Sequence, residues 1–557
     1  MIIAYRELRL LENQLIALIY GDQKGLLDIS SMCQVTVEQF YGIEIEPHAA
    51  HIARVALWIT DHQLNQATAE RFGTTRPTTP IVYSPHITEG NALQVDWESV
   101  LPANDCDYVM GNPPFIGKSN QSKEQKSDIE TVATDIKYHK SLDYVAGWYI
   151  KAMRYMQANT RRNHHIETAF VSTNSIVQGE QVAILWKYLL EDIGGYINFA
   201  HHTFKWTNEG KGVAAVHCVI VGYSTHERKE KTIFSYNNIS GEPNSNKAKQ
   251  INGYLIDAPL VFFDKTRNQY SDEARMDYGC KVNDGGNLLL NRAEYDHLIA
   301  NEPIAKKYLR PFIGSQEFLN NIERWCLWFY DYDPVSLNKD LEKMPLVRKR
   351  LENIRELRLA SRAKTTHKLA ETPHLFESER QPREGDYLLI PSISSENRRY
   401  IPIGFLNSET VCSNLAFTLS NANLYHFGVL SSNMHNSFMR LTAGRMKSDY
   451  RYSNTIVYNN FAYPFMAEDE DAKTVKAKDR IAEAAQEVLD ARQRYQDGSD
   501  KAPTLAQLYN AYMIDPYPEL TKAHTALDKA VDNAYGYKGK GDDASRVEFL
   551  LKRIAEA

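Results

Sequence analysis

What this chain lacks narrows its chemistry first. No stretch of its 557 residues is both long and apolar enough to span a bilayer. The opening segment "MIIAYRELRLLENQLIALIYGD" is interrupted by Arg6, Glu7, Arg9 and Glu12 and has no small-residue cleavage site, so it reads as a helix rather than a signal peptide. Cysteine is scarce: the six residues lie far apart with no C-x-x-C pair. That argues against a zinc site or a disulfide framework and for a reducing, cytoplasmic setting. Positive charge is not in excess either, since 64 Lys and Arg face 70 Asp and Glu for a net charge of −6. A nucleic-acid partner would therefore have to meet a local basic surface rather than the chain's overall charge. Internal repeats and long low-complexity tracts are missing. The pairs His164-His165 and His201-His202 lack the helical spacing of a metal site, so no metal is assigned.

What remains is ordinary globular composition, 43% apolar and 24% charged, with length enough for about three or four domains. Residues 1–228 alternate short apolar runs with helical patterns. "EQFYGIEIE", "CDYVMG", "ETAFVSTN", "GYINFA" and "AAVHCVIVGY" read as strands, and "PHAAHIARVALWITDHQL" and "SLDYVAGWYIKAMRYM" as helices. Strands alternating with helices predict an α/β fold with a mostly parallel sheet. A hydrophilic stretch beginning "STHERKEK" marks a boundary near 228. Residues 229–465 mix short strands, aromatics and turns without that rhythm. After the acidic "AEDEDA", residues 466–557 become helical, with "RIAEAAQEVLDARQRY", "TLAQLYNAY" and "ELTKAHTALDKAVDNAYGY".

Two corners in the first region carry chemistry. In "CDYVMGNPPFIG", Asn112-Pro113-Pro114-Phe115 directly follows a strand, and proline cannot continue a sheet ladder. Open α/β sheets bind ligands beyond the carboxyl ends of their strands. The Asn112 side-chain oxygen and the Pro113 carbonyl are two acceptors able to hold both hydrogens of an exocyclic amine, aiming its lone pair at an electrophile. Phe115 can stack on a flat ring, and the prolines keep the acceptors fixed. Taken alone, Asn-Pro-Pro is also an ordinary strand-ending turn. In "YGIEIEP", Glu44 and Glu46 alternate with Ile43 and Ile45 before Pro47 opens a helix. A carboxylate at such a strand end can accept from both ribose hydroxyls of a nucleoside cofactor, although acids also simply favour a helix start. Asn91, in "EGNALQVDW", follows another strand-like segment and is placed to read a purine edge, or to make a plain turn.

In this order the motifs resemble the amino-methylating DNA methyltransferases, and most closely the large fused adenine-N6 enzymes of type IIG restriction–modification systems. The resemblance runs through "FYGIEIEPHAAHIARVALWITDHQLN", "GNAL", "GNPPFIGKSNQS", "LDYVAGWYIKA", "TAFVSTNSIVQGEQVAILW" and "FAHHTFKWTNEGKGVAAVHCVIVGY". It continues through "LRPFIGSQEFLNNIERWCLWF", "RLTAGRMKSDYRYSNTIVYNNFAYP" and the C-terminal helices. It implies a Rossmann-like domain that binds S-adenosylmethionine, an α+β target-recognition domain and a C-terminal helical segment. Glu44 would hold the ribose, Ile45 would lie against the cofactor's adenine, Asn91 would stand where many relatives carry an aspartate that reads the adenine amine, and Ala92 would also belong to the cofactor site. Asn112, Pro113, Pro114 and Phe115 would grip a target adenine flipped out of duplex DNA. Phe204 would stack on its second face, with Trp206 as a possible substitute.

One departure is large. The family carries a glycine-rich motif, D-P-A-C-G-x-G-x-F, before its counterpart of "IIAYRELR", and Met1 stands where that motif would end. The chain therefore looks like the C-terminal remainder of a larger enzyme or the product of a late-starting gene model. An upstream chain supplying the missing half then joins double-stranded DNA as an expected partner. Glu124-Gln125-Lys126 mimics a nuclease triplet without the preceding Asp-bearing strand, and reads as a solvated loop. Phosphate contacts are expected from the basic segment 345–368, through Arg348, Arg350, Arg355, Arg358, Arg362 and Lys364, although a charge run is usually a solvated helix face. Arg445, Lys447 and Arg451, interleaved with Tyr450 and Tyr452, suit backbone or base-edge contacts or a packed β-ribbon. Two other functions stay open. One is a DNA-binding fragment without catalysis; the other is methylation of a glutamine amide in protein, against which the long region after 229 argues.

Overall fold

The computed structural model describes the chain except residues 22–28, 75–83, 162, 207–215, 237, 239, 267, 272–273, 467–468, 470, 498–501, 511–515 and 557, and the side chains of Ser30, Trp206 and Val216. The chain divides into two compact units, one made of Met1–Ile176 with Ile184–Ala248, the other of Val177–Ala183 with Lys249–Ala557.

The first unit opens with helix α1 (Ile2–Tyr20). Strand β1 (Tyr41–Glu44) follows and turns at Pro47 into helix α2 (Pro47–Phe72), whose first position suits proline's fixed φ and missing N–H. The two helices interlock through polar groups: buried Arg9 donates to Asn65 Oδ1 at 2.9 Å, and Asn13 Nδ2 to Thr68 Oγ1 at 3.0 Å. Strand β2 (His86–Glu89) pairs in parallel with β1, placing Glu89 beside Glu44.

A second sheet has six strands. They are β3 (Tyr108–Gly111), β4 (Glu167–Thr173), β5 (Tyr196–Trp206), β6 (Val216–Ser224), β7 (Lys231–Ser235) and β8 (Asn244–Ala248), in the order β3-β4-β6-β5-β7-β8. Helix α3 (Lys123–Ala133) and helix α4 (Ala146–Gln157) connect β3 to β4. Of these strands β3, β4, β5 and β7 run one way, while β6 and β8 run against them. The short link from β5 to β6 explains that reversal, because a parallel return needs a crossover of a dozen or more residues. The sheet buries an aromatic core: the Tyr149 ring stacks on Tyr223 at 5.2 Å and meets Phe170 and Trp186 edge-on. The boundary expected after 228 falls inside this sheet, since β7 and β8 extend it to Ala248. The triplet Glu124-Gln125-Lys126 is the first turn of α3 rather than a loop. Ser122 accepts from the Gln125 N–H while the Gln125 side chain accepts from the Ser122 N–H, the reciprocal cap that S-x-x-Q favours.

In the second unit, Gly404–Asn407, Asp386–Pro391, Ala416–Ser420 and Met276–Tyr278 form an antiparallel sheet in that order. Ile393–Ser394 joins the hairpin Asp449–Arg451 and Gly444–Met446 in a three-stranded sheet. The helices Ala472–Gln496 and Pro518–Tyr535 pack against each other and on Leu424–Ser431, and a further helix, Asp543–Glu556, packs on Asn433–Thr442. Arg492 ties this helical part down by donating to Tyr509 Oη at 2.7 Å and to the Ile403 carbonyl at 2.6 Å.

Gly279 leaves the strand Met276–Tyr278 against backbone: a Cβ there would lie 2.4 Å from the Ser413 carbonyl oxygen and 2.5 Å from that of Cys412. Because backbone cannot swing aside as a side chain can, Gly279→Ala should cost about 1–3 kcal/mol. A thermal melt of the variant checks it, with the midpoint expected to fall.

Candidate active site

Strand β3 ends at Gly111, where a Cβ would lie 3.3 Å from the Phe170 ring, and the chain turns at the two prolines. Pro113 is buried and Phe115 half-buried, while Asn112 is exposed. Asn112 makes no side-chain hydrogen bond among the described residues, and the Pro113 carbonyl is also without a partner, whereas the Pro114 carbonyl accepts from the Ile116 N–H at 3.1 Å. Two oxygen acceptors without an internal hydrogen bond therefore stand next to a half-buried aromatic ring.

The corner is pinned from α4 and its approach. The Tyr144 N–H donates to the Ile116 carbonyl at 2.9 Å. Asp143 is buried and accepts from the Lys118 N–H at 2.9 Å and from Ser175 Oγ at 2.6 Å, so one carboxylate fixes both the segment after the corner and the end of β4. Rigidity at this point matters, because acceptors that have to be ordered during a reaction stabilise its transition state less.

At the carboxyl end of β1, Glu44 Oε1 accepts from the Glu46 N–H at 3.1 Å, and Oε2 has no partner among the described residues. The Ile45 side chain is 61% exposed. An open carboxylate oxygen and an uncovered apolar side chain at one strand end fit the ribose and base of a nucleoside cofactor. Asn91 is more committed. Its Oδ1 accepts from the Leu93 N–H at 3.0 Å and its Nδ2 donates to Asp128 at 2.9 Å, so one lone pair on Oδ1 and one Nδ2 hydrogen remain. Ala92 is half-buried, and its carbonyl accepts from Trp97 Nε1 at 2.9 Å.

Asp128 and Tyr144 join the two corners. Asp128 accepts from Asn91, from Gln94 Nε2 at 2.8 Å and from Tyr144 Oη at 2.6 Å. Burial opposes its charge, but the bonds from Tyr144, Gln94 and Asn91 prevail and hold its carboxyl below the usual range. A continuous chain of bonds thus runs from Asn91 through Asp128 and Tyr144 to Ile116. Reading the sequence assigned no role to Asp128, Asp143 or Tyr144. The adjacent pair in "LDYV" was the available signal, but spacing does not tell which loops a buried acid will staple.

Phe204 lies on β5 just past an irregularity in its pairing with β6, and its ring packs 5.6 Å from Tyr236. Phe115 contacts no other ring among the described residues. The side chain of Trp206, the other stacking candidate, lies outside the described residues.

Within the second unit the basic residues divide. Arg348, Arg355, Arg362 and Lys364 are exposed. Arg358 is not a surface residue: it is fully buried, and its guanidinium donates to the carbonyls of Val282, Asn283, Leu369, Thr372 and Leu375. That corrects its expected contact with phosphate, because Val347, Leu351, Ile354 and Arg358 form the inward stripe of the helix Pro345–Leu359. Arg350 is held inward as well, by Glu294 at 2.8 Å and by the carbonyls of Asn287 and Leu289. Arg445 stacks over the Tyr450 ring at 4.0 Å and donates to Glu396 at 3.1 Å. Lys447, at the hairpin turn with φ 58°, and Arg451 are exposed. No helix among the described residues is long and apolar enough to cross a membrane.

Comparison with known proteins gives family matches along the chain. Residues 1–235 match the family model "MmeI, DNA-methyltransferase domain", 257–465 "MmeI, target recognition domain", and 473–557 "MmeI, C-terminal domain". DNA methyltransferase A of Bacillus subtilis (strain 168) is 37% identical over 562 residues, which cover 100% of this chain and 60% of that protein. The solved structure of the type IIL restriction-modification enzyme MmeI in complex with DNA superposes with a TM-score of 0.85 at 45% identity, over 100% of this chain and 71% of that one.

Proposed function

This chain belongs to the MmeI family, and from that premise we propose that it is the modifying part of a restriction–modification system, transferring a methyl group from S-adenosylmethionine to the N6 amine of adenine in a defined duplex site. The observation that carries the reading is a pair of acceptors without a hydrogen-bond partner among the described residues, Asn112 Oδ1 and the Pro113 carbonyl, on a stapled corner beside Phe115. A purine amine is unreachable inside the base stack, so the target base has to be extruded before the corner can hold it. Phe115 would then stack on the base, and Phe204 is the candidate for its other face. Accepting both amine hydrogens draws the nitrogen lone pair out of conjugation with the ring. No titrating group is required at the corner before attack, because the nitrogen sheds its proton to water once alkylated. Glu44 would hold the cofactor's ribose, Ile45 would lie against its base, and Asn91 would offer its remaining lone pair to the adenine amine. S-adenosylmethionine supplies the electrophilic methyl.

The test is incubation of the purified chain with methyl-labelled S-adenosylmethionine and mixed-sequence duplex DNA, followed by digestion to nucleosides. Label in N6-methyldeoxyadenosine is expected. Label in cytosine would overturn the choice of base. DNA binding without label and without calorimetric binding of S-adenosylmethionine would leave a DNA-binding chain in place of an enzyme.

A further inference from the structure

In the second unit, a cleft of about 410 Å³ is lined by Arg398, Arg399, Arg440 and Arg546, together with Asn433 and Asp543 among others. The surrounding carboxylates are already engaged. Asp543 accepts from Arg440 Nε at 2.7 Å and Nη2 at 2.8 Å, and from Ser437 Oγ at 2.7 Å. Asp532 accepts from Arg546 Nε at 3.1 Å and Nη2 at 2.7 Å. Glu396 accepts from Arg445, and Asp542 caps the following helix by accepting from the Ser545 N–H at 2.8 Å.

Arg398 is left over. Its side chain is half-buried, and no hydrogen bond or ion pair reaches its guanidinium among the described residues. Burial pulls its pKa below the ordinary arginine value, with Asp449 a weaker opposing influence. Arg399 is little better served: its side chain is 61% exposed, with Asn433 Oδ1 at 3.4 Å and Asp528 at 3.9 Å. A partly desolvated guanidinium without an anion is costly, and the cost is recovered when a planar two-oxygen acceptor arrives. The loop that bears both arginines leaves the strand Ile393–Ser394, which pairs with Asp449–Arg451. The Glu396–Arg445 ion pair ties the same loop to the hairpin that displays Lys447 and Arg451. Four cations therefore border one small sheet, with Asp449 as the acid between them and Asp528 3.9 Å from Arg399.

We propose that Arg398, assisted by Arg399, is a phosphodiester-binding site for duplex DNA, continuous with Lys447 and Arg451 on the three-stranded sheet. The inference rests on the DNA-directed reading above and adds a site to it. Phosphate contacts set the position of a protein on the duplex without reading its sequence, so the site acts on every duplex alike. Arginine suits it better than lysine, because the guanidinium fork engages two phosphate oxygens at once.

Fluorescence anisotropy of the full chain with a labelled mixed-sequence duplex, over a series of salt concentrations, tests the proposal. Arg398→Gln should weaken binding roughly 5–10-fold near 0.1 M salt and lower the slope of log K against log salt by about one. Arg398→Lys should keep the slope and recover part of the affinity. Melting midpoints should match wild type, since the side chain makes no internal bond, which separates loss of a contact from loss of fold. If wild type binds and Arg398→Gln binds with the same affinity and slope, the site is refuted while the functional reading stands. If wild type fails to bind at low salt, the functional reading itself fails, and this site with it. Displacement of DNA by inorganic phosphate at constant ionic strength, abolished by Arg398→Gln without a change in slope, would mark a small-anion site and overturn the assignment to DNA.

Discussion

Replacing Asn112 by alanine is expected to lower methyl transfer by at least about 10²–10³-fold, the penalty for deleting one preorganised polar group at a reacting centre. The change removes the side-chain acceptor and leaves the Pro113 carbonyl to hold one hydrogen of an amine that needs two. Little else should move. Asn112 is exposed and makes no side-chain hydrogen bond, so the melting midpoint should stay within about 1–2 °C of wild type, as for surface substitutions in general. Binding of S-adenosylmethionine, followed by calorimetry, should also persist, because Glu44 and Ile45 belong to a different strand end. Asn112→Asp keeps oxygen acceptors at the same reach and should retain more activity than alanine. Steady-state rates of label incorporation for the two variants check the ordering. Equal labelling by wild type and Asn112→Ala would mean that the amine is held elsewhere.

Replacing Arg358 by alanine should be the most destabilising change among the basic residues. The buried guanidinium satisfies five backbone carbonyls contributed by the stretches around 282, 370 and 375. Its removal strands those acceptors and leaves a cavity, at a cost of about 3–5 kcal/mol. For a domain of this size that corresponds to a fall of roughly 6–15 °C in Tm. Arg348→Ala, ten residues earlier on the exposed side of the same helix, should change stability by less than about 0.5 kcal/mol. Thermal melts of the two variants side by side decide the matter. A Tm for Arg358→Ala close to that of wild type would show that the buried network contributes little to holding this region together.

The two substitutions also separate what was legible in the sequence from what was not. The Asn112 corner could be read without coordinates because backbone chemistry fixes it locally: proline ends a ladder wherever it occurs, and the strand before it aims the turn outward. The same holds for the Pro47 helix start and the alternation of strands with helices through residue 224. Arg358 could not be read in this way. One arginine in a basic run looks like its neighbours until helical periodicity is combined with knowledge of which face packs and which carbonyls wait there.

The sequence by itself pointed to the chemistry proposed for this protein, a corner able to grip an amine at the end of one strand and an acidic end on another, since each depends on a few adjacent residues. Only the tertiary structure decided which charges are free and which are spent, that Asp128 and Tyr144 link the two corners, and that β6 returns against its neighbours. The physical reason is range. Turn and strand preferences act over a few residues, whereas the pairing of a buried charge or the stapling of two loops depends on groups that become neighbours only when the chain packs.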